Sequence, residues 1–106
     1  MSDPTRAPQF AMPVYLAPAP DAASANIATA TTTLIKDAPG YVTGISINTG
    51  VSGKTVKLYD GDPGDGGVLL GTWSAAAQNS VAVSIPFADS LYAVTDGTAD
   101  VTISYV

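Results

Sequence analysis

The chain has 106 residues, a net charge of −5 and four basic side chains. This indicates a single domain and argues against direct binding of nucleic acid, because phosphate recognition needs a dense cationic face. The chain contains no cysteine and no histidine, so disulfides, thiolate chemistry and the usual zinc ligands are excluded. All nine acidic residues are aspartate, which favours turns over helices, and the composition therefore predicts an all-β protein.

Residues 1–26 are predicted to form an extended N-terminal arm. They contain five of the eight prolines, so a continuous helix is excluded and an interior strand is disfavoured. The first residues lack the basic start and the uninterrupted apolar run of a secretory signal, and no apolar stretch reaches the length of a membrane span. We therefore expect a product of the cytoplasm with no membrane partner, in which a folded domain spans residues 27–106.

Apolar side chains between the prolines make the arm a candidate partner-binding segment. They are Phe10, Met12, Val14, Tyr15 and Leu16. A solvated linker carries few such side chains, so the arm is expected to cover a surface. That surface is either an edge of the domain's own sheet or a neighbouring subunit or partner protein, which a fully extended arm of on the order of 80 Å could reach.

The domain is predicted to begin with a strand that is followed by a β-hairpin. Residues 27–35 are rich in threonine and β-branched side chains and are predicted to form the first core strand, and Pro39 and Gly40 favour a turn after it. In residues 41–60, two alternating runs are separated by a glycine-containing loop, which is the pattern of a hairpin. Alternation in the first run predicts that one face carries Tyr41, Thr43, Ile45 and Ile47.

The stretch from Asp60 to Gly67 contains three carboxylates and four glycines, so calcium binding has to be considered. An EF-hand loop that started at Asp60 would need an oxygen ligand, a glycine and a glutamate where the chain has Gly64, Asp65 and Gly71. We interpret the stretch as a solvated turn in which aspartate and glycine adopt left-handed backbone angles. No metal is expected, and a looser cage of oxygen ligands is the alternative.

The remaining strands are predicted at residues 68–73, 81–85, 91–95 and 101–106. Pro86 is expected to end the second of these. An Asp-Gly pair in the connection 96–100 predicts that the last two strands form a hairpin. Residues 74–79 fit either one helical turn or a loop. Trp73, the only tryptophan, is interpreted as a core residue, with an exposed platform for sugar rings as the alternative.

Together these patterns predict a single β-sandwich or jelly-roll-like domain of about seven to eight strands, preceded by the proline-rich arm. The sequence offers no reaction chemistry. It has no histidine or cysteine, no Gly-x-Ser-x-Gly elbow and no phosphate-binding loop. We therefore predict that the protein is not an enzyme and has neither catalytic residues nor a cofactor.

From Leu34 onward, several short motifs follow one another. They are Lys36-x-x-Pro39-Gly40, Gly44-Ile45-x-Ile47-Asn48, Thr55-Val56-x-Leu58-Tyr59-Asp60-Gly61, Leu91-x-x-Val94 and Gly97-Thr98-Ala99-Asp100-Val101-Thr102-Ile103-Ser104-Tyr105. In these motifs the chain resembles small β-sandwich structural proteins of tailed bacteriophages, encoded among the head genes, of which the best understood decorate and cement the capsid. The resemblance implies a virion protein, assembled in the cytoplasm of the host bacterium, that binds the major capsid protein or another virion protein and forms a homo-oligomer.

Two other functions fit the same composition and fold class. A tail or baseplate accessory protein would differ only in its position in the particle. A carbohydrate-binding β-sandwich module would need an exposed aromatic platform, so burial of Trp73 and of most tyrosines would argue against it.

Overall fold

The computed structural model describes residues 22–106, which form eight β-strands and no helix. The strands are β1 (Ala23–Ile27), β2 (Thr31–Lys36), β3 (Gly40–Thr49), β4 (Thr55–Asp60), β5 (Val68–Ser74), β6 (Asn79–Phe87), β7 (Leu91–Thr95) and β8 (Asp100–Tyr105). The predicted all-β fold class is confirmed. Residues 1–21, which include the five apolar arm residues, lie outside the described part of the chain.

The strands form two four-stranded antiparallel sheets that pack face to face. The first sheet has the order β1-β8-β3-β6 and the second the order β2-β7-β4-β5. β1 pairs with β8, β2 with β7, β3 with β6 and β4 with β5, so the chain is one long hairpin folded around the turn between β4 and β5. This is the strand order of an eight-stranded jelly roll, which confirms the predicted sandwich.

The core lies between the sheets and is built from the inward-facing side chains of both. Its fully buried large members are Val42, Ile45, Val56, Leu58, Leu91, Val101 and Ile103. These residues belong to the central strands β3, β4, β7 and β8, whereas partly buried side chains on edge strands, such as Ile35, Trp73 and Val83, close the sides. Because a fully buried aliphatic side chain contributes roughly 1.5–3 kcal/mol, the central strands supply most of the stabilisation.

The predicted hairpin of residues 41–60 is wrong, although both of its strands exist. β3 pairs with β6 and β8, and β4 pairs with β5 and β7, so the connection between them crosses from one sheet to the other. Backbone hydrogen bonds hold this crossing, from the Val51 amide to the Ala75 carbonyl (2.9 Å) and from the Ala75 amide to the Lys54 carbonyl (2.8 Å). Alternation shows that strands exist, but it does not show which strands pair.

The predicted hairpin of the last two strands is wrong for the same reason. β7 belongs to the second sheet and β8 to the first. A tight Asp-Gly hairpin turn needs left-handed backbone angles, and Gly97 does not adopt them, unlike Gly53, Gly61 and Gly66. Instead, the Asp96 carboxylate accepts a hydrogen bond from the Thr55 amide (2.8 Å), which ties the end of β7 to the start of β4.

The predicted first strand, residues 27–35, is interrupted. Residues 28–30 separate β1 from β2, and β1 begins at Ala23, before the expected start of the domain. The buried Thr95 stabilises the interruption, because its hydroxyl donates to the Thr29 carbonyl and accepts from the Thr31 amide. The break lets the chain pass from the edge of one sheet to the edge of the other.

Two local predictions within the first sheet are also corrected. The register of β3 shifts between Val42 and Gly44, so Val42 and Ile45 both face the core while Tyr41 and Thr43 are exposed. The predicted common face is therefore split by a β-bulge. β6 continues through Pro86 to Phe87, which is tolerated because β6 is an edge strand and needs no partner on its outer side. The stretch 74–79, for which the sequence fitted either one helical turn or a loop, forms a loop at residues 75–78 between β5 and β6.

Candidate interaction surface

Four apolar or aromatic side chains lie next to one another across the outer face of the second sheet. In the antiparallel register Leu34 pairs with Tyr92, Tyr92 with Tyr59, and Tyr59 with Leu69. These four residues, here called the outer apolar row, alternate with inward-facing neighbours such as Ala93, which is buried. The row therefore crosses all four strands on the side of the sheet that faces away from the core.

The two ends of the outer apolar row are its most exposed parts. Leu34 is 46% exposed and Leu69 is 50% exposed, and Val68 beside Leu69 is 64% exposed. Tyr59 and Tyr92, in the middle, are partly buried. The solvent face of an antiparallel sheet usually carries polar side chains, so an apolar and aromatic row on this face departs from the usual composition.

The neighbouring row on the same face is mostly polar. The next row along the same strands consists of Thr32, Val94, Lys57 and Thr72 in register. Three of these four side chains are polar, which is the usual composition of a solvated face. The neighbouring row thus offers control positions on the same strands and the same face.

Acidic side chains lie near Tyr92, at one side of the outer apolar row. Partial desolvation raises the pKa of the Tyr92 phenol, and the negative charges of Asp62, Asp37 and Asp89 raise it further. These aspartates belong to the loops that follow β2 and β4 and precede β7. All three loops lie at the same end of the sandwich, so the row has an acidic border at that end.

Part of the outer face of the first sheet is polar and internally hydrogen-bonded, whereas the exposed Tyr41 pairs with Pro86 at its other end. The Asn26 amide donates to the Asp100 carboxylate and to the Thr102 hydroxyl (3.2 Å). The Asn48 amide donates to the same Thr102 hydroxyl (2.8 Å), and the Ser46 hydroxyl donates to Asn48 Oδ1 (3.1 Å). Because these groups satisfy one another across β1, β8 and β3, this face is a less suitable apolar contact surface.

The Asp- and Gly-rich stretch is the turn that joins β4 to β5, and two of its three carboxylates, those of Asp60 and Asp62, accept hydrogen bonds from backbone amides. Gly61 and Gly66 have φ angles of 90° and 81°, as the interpretation of a turn with left-handed glycines predicts. Asp62 Oδ1 accepts from the Gly64 amide (2.8 Å), and the Asp62 carbonyl accepts from the Gly67 amide (2.8 Å). Among residues 22–106, no group of three or more acidic, histidine or cysteine side chains is placed to hold a metal ion.

Of the functional residues predicted from the sequence, the structure describes Trp73 but not the five arm residues. Trp73 lies on the inner side of β5 and packs against the core, as interpreted from the sequence. The arm residues Phe10, Met12, Val14, Tyr15 and Leu16 lie outside the described residues.

Sequence reasoning missed the outer apolar row, because its members come from four separate strands and only the strand register brings them together. The available signal was weak: Leu34 and Leu69 each stand next to another apolar residue in a strand that needs only one apolar face.

Other features of the described residues do not indicate a function. No pocket suited to a small ligand is found among them, and they form no helix that is long and apolar enough to cross a membrane. Comparison of the chain with protein-family models and with curated proteins gives no match. The fold and the outer apolar row are therefore the observations from which a function has to be argued.

Proposed function

We propose that this chain is a non-enzymatic structural protein of a bacteriophage particle, a capsid decoration or cement protein that binds the capsid surface through the outer apolar row. Its partner is the major capsid protein or another virion protein, and neighbouring copies contact one another on the particle. The N-terminal arm adds a second contact. The exposed row on a face that would otherwise be polar is the observation that carries the proposal.

Two further considerations support this proposal. The jelly roll is a frequent architecture of viral capsid domains, although a fold alone does not determine a function. The motifs from Leu34 onward resemble structural proteins of tailed phages. For the carbohydrate-binding alternative the two criteria give different results. Trp73 packs against the core and is not an exposed platform, whereas Tyr41 is 49% exposed and Tyr59, Tyr92 and Tyr105 are only partly buried.

The size of the row indicates that several contacts are needed for stable attachment. Covering four side chains of this kind removes on the order of 200 Å² of apolar surface, which corresponds to about 5 kcal/mol. Association costs an estimated 4–15 kcal/mol in lost freedom and side-chain ordering, so the row alone would bind weakly. Attachment of many copies to a repeating lattice, with an arm contact for each copy, raises the overall affinity without enlarging the row.

The test of this proposal is co-sedimentation of the purified chain with capsid shells of the phage that encodes it. The double variant Leu34→Gln and Leu69→Gln makes both ends of the row polar and should reduce binding at least about tenfold, equivalent to a loss of about 1.4 kcal/mol. The matched control is Thr32→Gln with Thr72→Gln, which changes the neighbouring row on the same two strands. It should bind as the unmodified chain does.

Three outcomes would count against the proposal. Absence of binding by the unmodified chain would remove the capsid as partner, and binding to tails instead would assign the protein to the tail. If both double variants bound equally well, the outer apolar row would not be the contact surface. Circular dichroism of each variant has to show a folded chain before its binding is interpreted.

A further inference from the structure

Three aspartates of the chain are followed directly by glycine. The pairs are Asp60-Gly61 at the end of β4, Asp65-Gly66 in the turn between β4 and β5, and Asp96-Gly97 after β7. Aspartate isomerises most readily before glycine, because glycine has no side chain to hinder the approach of its amide nitrogen to the preceding carboxyl group. Since the local sequence is the same at all three pairs, their surroundings in the fold decide which of them reacts.

The reaction makes specific demands on those surroundings. The glycine nitrogen forms a bond to the aspartate Cγ, a C–O bond of the carboxyl group breaks, and one water leaves with the proton of the nitrogen. Water then opens the resulting succinimide ring to aspartate or to isoaspartate, so no other reactant is consumed. Ring closure needs a carboxyl group that can be neutral and can rotate, and an amide nitrogen that is not held in a hydrogen bond.

The fold opposes this reaction at Asp60. Its two carboxylate oxygens accept hydrogen bonds from the amides of Ala88 (2.9 Å) and Asp89 (3.0 Å). The hydrogen bond from Ala88 lowers the pKa of Asp60, which keeps the group ionised. The Gly61 amide is itself engaged, because it donates to the Ser90 carbonyl (3.0 Å), and Gly61 is buried. Both reacting groups of this pair are therefore held apart.

The carboxylate of Asp96 is held in a similar way. One oxygen accepts from the Thr55 amide (2.8 Å) and the other from the Thr55 hydroxyl (3.4 Å). The hydrogen bond from the Thr55 amide lowers the pKa of Asp96. Gly97 is also crowded, because a Cβ added there would lie 2.7 Å from Lys54 Cδ. Ring closure at this pair would first have to break both hydrogen bonds.

The pair Asp65-Gly66 has none of these restraints. Both residues are exposed, and a Cβ added at Gly66 would meet no atom within 4 Å. Among residues 22–106, the Asp65 carboxylate accepts no hydrogen bond and the Gly66 amide donates none. The carboxyl group can therefore rotate toward an amide nitrogen that is open to it.

We propose that Asp65-Gly66 is a site of spontaneous isoaspartate formation and that the fold protects the other two pairs. The product carries one extra backbone carbon between residues 65 and 66. The amides of Asp65 (2.9 Å) and Gly67 (2.8 Å) both donate to the Asp62 carbonyl, so the added carbon lengthens the chain between these two hydrogen bonds, directly before Leu69 of the outer apolar row. The inference does not depend on which partner the protein binds.

The test is prolonged incubation of the full-length chain at neutral pH, well below its melting temperature. Samples are digested with a protease that cleaves before aspartate but not before isoaspartate, and the fragments are identified by mass spectrometry. A parallel incubation in urea gives the rates of the three pairs without the fold. The variant Asp65→Glu is the control for assignment, because a glutamate side chain cannot form the five-membered ring.

In the folded chain, isoaspartate should form at Asp65 at least about tenfold faster than at Asp60 or Asp96, since hydrogen bonds to a charged group restrain the latter two. In urea the three rates should become similar, and Asp65→Glu should remove the product at that position alone. Equal rates in the folded chain, or faster reaction at Asp60 or Asp96, would overturn the proposal. Isoaspartate that formed at Asp65 in urea but not in the folded chain would overturn it as well.

Discussion

At the scale of single residues, Asp60 connects the end of β4 to the loop before β7. Its carboxylate accepts hydrogen bonds from the amides of Ala88 (2.9 Å), Asp89 (3.0 Å) and Ser90 (3.4 Å). The Gly61 amide donates to the Ser90 carbonyl (3.0 Å) beside them. The hydrogen bond from Ala88, together with those from Asp89 and Ser90, lowers the pKa of Asp60 despite some desolvation. A carboxylate that could be taken for a calcium ligand therefore has a role in holding two loops together.

Asp60→Asn should lower the free energy of unfolding by roughly 1 kcal/mol at neutral pH, because the amide replaces a charged acceptor of three backbone amides at a partly solvated site. The folded-state pKa of Asp60 lies below its ordinary value, so its contribution is present above about pH 4 and is lost as the pH falls through the folded-state pKa. Thermal melting of both proteins from pH 7 to pH 2 should therefore show converging melting temperatures.

Asp65→Asn is the control for this comparison, since Asp65 is an exposed residue of the neighbouring turn. It should leave the melting temperature within about 2 °C of the unmodified value. A chelator should have no effect on either protein. If a chelator lowered the melting temperature of the unmodified chain, a bound cation would have to replace the internal hydrogen bonds as the explanation of this site.

At the scale of elements, the turn between β4 and β5 has little space around its last glycine. A Cβ added at Gly67 would lie 2.4 Å from the Gly61 carbonyl oxygen and 2.6 Å from that of Asp62. Backbone atoms cannot move aside as a flexible side chain can. By contrast, a Cβ at Gly64 would meet only Asp62 Oδ1, at 3.4 Å. The turn therefore accepts a side chain at one glycine and not at the other.

Gly67→Ala should lower the free energy of unfolding by about 2 kcal/mol, the cost typical of steric overlap in a packed site. Gly64→Ala, in the same turn, should change it by less than about 0.5 kcal/mol. Thermal melting would show a decrease of roughly 8–16 °C for the first variant and almost none for the second. Equal effects of the two substitutions would contradict the geometry described for this turn.

At the scale of the whole molecule, the last strand is a central part of the sandwich. β8 lies between β1 and β3 and contributes the buried Val101 and Ile103 to the core. Residues 1–21 lie outside the described part of the chain. Removing one buried aliphatic side chain typically costs 2–5 kcal/mol, and the total stability of a small domain is about 5–15 kcal/mol. Loss of β8 would therefore exceed what the domain can tolerate.

Deletion of residues 100–106 should abolish cooperative unfolding and the β-sheet signal in far-ultraviolet circular dichroism. Deletion of residues 1–21 should retain both, because all eight described strands lie within residues 23–105. A folded protein without β8, or an unfolded one without the arm, would contradict this assignment of the strands.

The strand positions were largely predictable from the sequence, but their partners were not. Alternation of apolar and polar side chains identified the segments that became β3 to β8, because that pattern follows from the pleat of a single strand. It could not distinguish a hairpin from a crossing between sheets, since both connections are short and contain glycine. The break at residues 28–30 is held by the distant Thr95, and the bulge near Gly44 shows only in the register of β3 with β6 and β8. The outer apolar row could not be predicted for the same reason.

The pairing of β1 with β8, β2 with β7, β3 with β6 and β4 with β5 also determines which sheet can form first while the chain is being synthesised. All four strands of the second sheet have been translated once Thr95 is made, whereas β1 has no partner within the first sheet until β8 follows. All strands of the second sheet are thus synthesised before the first sheet is complete. A chain that has emerged only to residue 99 carries the outer apolar row on one face of that sheet and its uncovered inner face on the other, and residues 100–105 then supply the strand that completes the opposite layer.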